Sequence, residues 1–149
     1  MCIPIRKTDI QSKLETIPEG MEKLEFLQAR GFQESYIDFR NRDFTLHRLQ
    51  PVIQALVDIG EYIIAQLGLK KPGFNADLIQ ILIEAGYINA QDNERYINML
   101  EFRNRTEHLN RRVDMDRFTE MMCQEINNIR ALYEIFYKVI ETHEDSDCF

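Results

Sequence analysis

No apolar run in this 149-residue chain approaches the roughly 20 residues that a helix needs to cross a bilayer. The opening MCIPIRKTD also lacks the apolar segment of a secretory signal, so the expected location is the cytoplasm, with no membrane partner. Cysteine is scarce: Cys2, Cys123 and Cys148 are odd in number, scattered and without CxxC spacing. That pattern supports neither a disulfide framework nor a zinc site, and the three read as free thiols. No stretch alternates with the period of two that a half-buried strand shows, which leaves an all-α chain. Inward ExxH or paired-carboxylate ligands, which a metal-dependent four-helix-bundle enzyme needs on several helices, are also missing. The expectation is therefore no metal and no cofactor.

Histidine is limited to His47, His108 and His143, so imidazole chemistry has three places to occur. His143 lies in an acidic tail and His47 beside an apolar stripe; each reads as a solvated or packed structural residue. His108 alone is surrounded by arginines and polar residues. The chain as a whole has a net charge of -7, which argues against coating a polyanion with the entire surface, because such binding rests on basic side chains displacing counterions. Between Phe102 and Val113, however, Arg103, Arg105, Arg111 and Arg112 face only Glu107, a local +3 that leaves -10 elsewhere. Contact with RNA, if made, is confined to this segment.

Apolar residues make up 44% of the chain and charged residues 29%, the balance of a folded globular protein, and the length fits one domain over residues 1–149. The ordered core is expected over about 9–141, ahead of an acidic C-terminal tail, 142–149. Ile10, Leu14, Ile17, Met21, Leu24 and Leu27 step by three or four along a first helix ending near Gly31. Pro18 falls inside that stripe and predicts a kink or restart, with Thr16 to Glu19 as a capping box. A longer helix follows from about Asp43 to Gly68 on Leu46, Leu49, Ile53, Leu56, Gly60, Ile63 and Leu67, with Pro51 early in it. KKPG then breaks the chain before Asn75 caps a short helix, burying Leu78, Ile79, Leu82 and Ile83 and ending at Gly86. A fourth helix begins after Asn89, turns Tyr96, Ile97, Met99 and Leu100 inward and runs into RNRTEHLNRR. The fifth starts near Asp114 with the stripe Phe118, Met122, Ile126, Ile129, Tyr133, Phe136 and Ile140. The predicted architecture is an antiparallel bundle of four long helices with one short helix inserted.

Arginine beside histidine, without clustered carboxylates, is what metal-free cleavage of an RNA phosphodiester requires. Imidazole titrates near neutrality and can take the proton of a 2′-hydroxyl or give one to the leaving oxygen. Guanidinium stays charged and can hold phosphoryl oxygens as charge builds. On an ideal helix Arg103 and His108 stand about 140° apart around the axis, whereas Asn104 and His108 share a face. The pair converges only if Arg103 reaches around, if the helix is distorted, or if the residues act across a dimer interface, which is the favoured arrangement. The plainer reading is an ion pair between Arg103 and Glu107, with the other arginines a solvated helix end.

The phrase MLEFRNRTEHLNRRVD resembles the HepT-like members of the HEPN superfamily, whose signature is an arginine and asparagine followed after a few residues by histidine: here Arg103, Asn104 and His108. The likeness runs from about Asp9 to about Glu141, through DIGEYIIAQLG, KKPG and LIEAGYINAQ. It implies a homodimer whose two motifs face each other across a cleft and cut RNA without a metal ion. It further implies the toxin of a toxin–antitoxin pair whose partner is a nucleotidyltransferase-type antitoxin. Arg103 and His108 would be catalytic and Asn104 would shape the site; Arg105, Arg111 and Arg112 as RNA contacts follow from charge alone. Many relatives carry, two residues after the histidine, a tyrosine that the antitoxin modifies with AMP; that position is Asn110 here. They also place aliphatic residues before the histidine, where this chain has Thr106 and Glu107. The alternative reading is a non-catalytic helical module that dimerises and engages a nucleotidyltransferase partner.

Overall fold

A computed structural model describes residues 6–30, 39–101 and 115–143, with side chains described for 6–30, 48–101 and 119–143. Five α-helices carry the described fold: α1 (Gln11–Ala29), α2 (Phe39–Gln66), α3 (Asn75–Glu84), α4 (Asn93–Leu100) and α5 (Met115–His143). Single 3-10 turns precede α1 at Lys7–Asp9 and α4 at Ala90–Asp92.

Contacts between helices establish an antiparallel bundle. Lys13 pairs with Asp58 at 2.9 Å and Tyr62 donates to Asp9 at 2.8 Å, so numbers fall along α2 as they rise along α1. Gln28 donates to Cys123 Sγ at 3.1 Å and Lys7 to the Tyr137 hydroxyl at 3.3 Å, which sets α5 against α1 in the same sense. α2 lies at the centre. Its Leu49, Val52, Ile53, Ala55, Leu56, Val57, Ile59, Ile63 and Ile64 are all buried, more than one face of a helix can supply. The expected stripes of α1 and α5 are inward as well, apart from half-buried Leu27 and Tyr133; Phe118 lies outside the described side chains.

Two glycines permit the close approach of helices. A Cβ at Gly20 of α1 would overlap Val52 Cγ2 of α2, and one at Gly60 would stand 3.0 Å from Leu78 Cδ2 and 3.2 Å from Phe136 Cζ. Two others end helices. Gly68 at φ +70° and Gly86 at φ +88° sit one residue past the C-caps of α2 and α3. Leu69 N–H reaches the Ile64 carbonyl at 3.0 Å, and Tyr87 N–H the Leu82 carbonyl at 2.9 Å, both Schellman closures.

Four boundaries differ from expectation. α1 runs unbroken through Pro18. Proline deprives the Leu14 carbonyl of its helical donor, and the Tyr133 hydroxyl donates to that carbonyl from α5 at 3.4 Å. Thr16 does not cap; its hydroxyl donates to the Ser12 carbonyl one turn back at 2.8 Å. α2 begins four residues earlier than Asp43, and it contains Pro51 without ending there. Asn75 is the first residue of α3, not its cap. The Asp77 carboxylate reaches back to accept from the amides of Gly73 and Phe74 at 3.2 and 3.1 Å, while Asn75 donates to the Leu100 carbonyl at 3.4 Å. At the far end, helix continues through His143, two residues into the expected tail. The continuation of α4 into RNRTEHLNRR lies outside the described residues.

Among the described residues no helix is long and apolar enough to cross a membrane. Gly20→Ala should lower stability by about 1–3 kcal/mol of overpacking, offset by up to about 1 kcal/mol of helix propensity, read from denaturant midpoints. An unchanged or raised midpoint would contradict the tight α1–α2 crossing. Burial raises the phenols of Tyr62, Tyr96 and Tyr133 above the ordinary 10.0, with neighbouring Tyr137 adding to the rise at Tyr133 and Lys7 opposing it. A raised acid favours its neutral form in the folded state, so this contribution is complete below pH 10 and is lost as pH climbs through the folded-state values. Stability should therefore fall above about pH 10, with a shallower fall in Tyr96→Phe followed by circular dichroism.

Candidate functional site

Arg103, Asn104, Arg105, His108, Asn110, Arg111 and Arg112 lie in residues 102–114, outside the described residues, as do Cys2 and Cys148 and the side chain of His47. The structure does describe the frame from which that segment departs, the last turn of α4, and the helix to which it returns, α5.

α4 is short but firmly held. Tyr96, Met99 and Leu100 are buried in the core, and the Asn75 amide holds the Leu100 carbonyl at the helix end. Arg95 Nε donates to Asn128 Oδ1 of α5, and Arg95 pairs with Asp92 at 3.6 Å. Upstream of α4, the Tyr87 hydroxyl stands 3.1 Å from His143 Nε2, with the rings edge to face at 83°. His143 is thus a packed residue tying the end of α5 to the loop after α3. Cys123 is half-buried and accepts from Gln28.

Two polar side chains are buried among the described residues, Glu125 at 3% exposure and Asn128 at 6%. Sequence reasoning passed over both because each reads as a solvated helix position. The signal available was the progression Met121, Glu125, Asn128, Leu132, which steps by four, three and four and so puts both polar residues on an otherwise apolar face. Sequence reasoning also missed Phe26, 61% exposed on α1. It lies with Leu27, Glu19, Glu22, Lys23 and Arg48 along an open groove of about 630 Å³. Among the described residues no group of three or more histidine, cysteine, aspartate or glutamate side chains could hold a metal ion.

The described helices thus form an all-α antiparallel bundle in which a short, anchored helix stands just before the basic segment of the sequence. The sequence profile of the "Ribonuclease HepT-like" family matches residues 14–136, and the chain belongs to that family. A solved structure of a tri-AMPylated HEPN toxin from Shewanella oneidensis, in complex with an MNT antitoxin, is similar to this chain with a TM-score of 0.73. The two share 19% identity, and the likeness covers 87% of this chain and 96% of that one. A comparison with curated proteins gives no match.

Asn128→Ala removes the acceptor for Arg95 and should lower stability by about 1–2 kcal/mol. Amide exchange at Met99 and Leu100 should accelerate more than in the core of α2. Uniform acceleration through the bundle would show that the bond does not hold α4 in particular.

Proposed function

We propose that this chain is a metal-independent RNA endonuclease, the toxin of a toxin–antitoxin pair, acting as a homodimer with a composite site at the subunit interface. The observation that carries this reading is the family match over residues 14–136, which spans Arg103, Asn104 and His108. In the reaction, an imidazole takes the proton of the 2′-hydroxyl and the 2′-oxygen attacks phosphorus. The new P–O2′ bond forms as the P–O5′ bond breaks, and a second acid returns a proton to the leaving 5′-oxygen. His108 acts in this acid–base work, with the second group drawn from the partner subunit. Arg103 stabilises the charge that accumulates on the phosphoryl oxygens. Asn104 shapes the site, and Arg105, Arg111 and Arg112 contact flanking phosphates. No step calls for a metal or cofactor.

The partner is a nucleotidyltransferase-type antitoxin, a reading supported by the similar HEPN toxin in its complex with an MNT antitoxin. Asn110 stands where relatives carry the modifiable tyrosine, and a side-chain amide lacks the nucleophilic oxygen of a phenol. Transfer of AMP to a tyrosine at that position is therefore not open to this chain. The net charge of -7 and Glu107 beside His108 favour one alternative, a non-catalytic module that dimerises and engages the same partner.

Incubation with tRNA and mRNA in EDTA should release fragments ending in 2′,3′-cyclic phosphate and beginning with 5′-hydroxyl. His108→Ala and Arg103→Ala should each slow cleavage by about 10²-fold or more with unchanged helical circular dichroism. A clean dimer that binds its antitoxin and leaves every RNA intact supports the non-catalytic module; full activity in either variant removes that residue from the chemistry.

A further inference from the structure

The turn between α2 and α3 displays a side chain that neither packing nor capping explains. Phe74 is 80% exposed and occupies the N-cap of α3 without a side-chain hydrogen bond, a position where a short polar residue serves a helix better. Its backbone is nevertheless fixed. The Phe74 and Gly73 amides donate to the Asp77 carboxylate at 3.1 and 3.2 Å, and the Phe74 carbonyl accepts from the amides of Asp77 at 3.0 Å and Leu78 at 3.2 Å. Pro72 narrows the backbone just before this turn. The phenyl ring therefore stands in solvent on a rigid mount. Lys70 and Lys71 precede it and are exposed, and neither has an ion-pair partner among the described residues. In a chain of net charge -7, two adjacent uncompensated cations make a local positive spot. The residue after Phe74, Asn75, donates to the Leu100 carbonyl at 3.4 Å, which places the turn at the end of α4, where the sequence leads on to the basic segment.

We propose that Lys70, Lys71 and Phe74 form a contact surface for single-stranded RNA, on which a base stacks against the Phe74 ring while the two lysines meet backbone phosphates. The proposal rests on the nuclease reading for the identity of the strand, but the surface consists of these three residues alone and can be tested without activity. Every base has a π face, so stacking on an aromatic tolerates any sequence, and an aromatic beside cations is the arrangement that holds a single strand. A duplex keeps its bases inside the stack and gives the ring nothing to meet, whereas unpaired nucleotides can splay a base onto it. Lysine suits the phosphates as a point charge on a flexible stem, with no fixed geometry to satisfy. A ring on a fixed backbone loses little freedom on binding, so the turn adds affinity at small ordering cost. The surface thereby favours substrates with unpaired nucleotides over duplex RNA.

The test is binding of the full-length protein to a 2′-O-methyl oligonucleotide, which lacks the free 2′-hydroxyl and so is not cut, compared with the duplex of the same sequence by fluorescence anisotropy. Phe74→Ala should weaken single-strand binding roughly 5- to 100-fold with unchanged salt dependence and intact helical circular dichroism, and Phe74→Tyr should retain binding. Replacing both lysines, Lys70→Gln with Lys71→Gln, should lower the slope of log affinity against log salt by about 1.4, from two phosphates at about 0.7 each. The chain has no tryptophan, so Phe74→Trp adds a single indole, whose emission should be quenched by the single strand and much less by the duplex. Phe74→Leu separates stacking from apolar contact, and wild-type binding by that variant would overturn the stacking role. Ring-dependent binding in a protein that cleaves no RNA would uphold the surface and overturn the nuclease reading. Binding indifferent to every variant, in a protein that does cleave RNA, would overturn the surface and leave the nuclease reading standing; a protein that neither binds the strand nor cleaves RNA would overturn both. Indole emission that responds to phosphatidylglycerol vesicles or to the antitoxin, and not to the oligonucleotide, would assign the turn to a membrane or a protein partner and overturn the RNA surface.

Discussion

The bundle depends on how closely α2 can approach its neighbours. Gly20 meets Val52 with no room for a methyl group, and Gly60 lies under both Leu78 and Phe136, so α1, α3 and α5 all pack onto one central helix. Because α2 is buried on more than one face, its side chains cannot shift toward solvent to relieve crowding, and interiors at this density transmit strain. The glycines set the helix separations, and those separations determine whether Tyr133, Asn128 and Cys123 of α5 can reach their partners.

On this frame α4 has the role of a short lever. Eight residues long, it has too few turns to be stable alone and relies on Tyr96, Met99 and Leu100 in the core, on Asn75 at its end and on Asn128 along its side. The basic segment begins directly after it. The two buried polar side chains among the described residues, Glu125 and Asn128, both belong to α5, and Asn128 meets α4 at Arg95.

Helix number and inward faces were legible because leucine and isoleucine recur at a spacing that only a helix converts into one face. The boundaries misread from sequence are those decided by distant groups. Pro18 looked like a break because its remedy, the Tyr133 hydroxyl, comes from the far end of the chain. Asn75 looked like a cap because its true partner, the Leu100 carbonyl, belongs to another helix. The candidate site rests on its arginines and histidine through resemblance, since five-residue spacing alone does not bring Arg103 and His108 to one face, and these residues lie outside the described ones. Glu125 and Asn128 escaped notice because charge and amide groups are read as solvent-facing until packing shows otherwise.

The reliance of α1 on Tyr133 bears on how the chain acquires its structure during synthesis. Leu14 and Tyr133 are 119 positions apart, so the first helix leaves the ribosome long before the residue that completes its ladder exists. Until α5 docks, the Leu14 carbonyl lacks the donor that Tyr133 supplies, while α2 already offers α1 a packing partner at Gly20. The hydrogen bonding of the amino-terminal helix is therefore completed only once the last helix of the chain has been made.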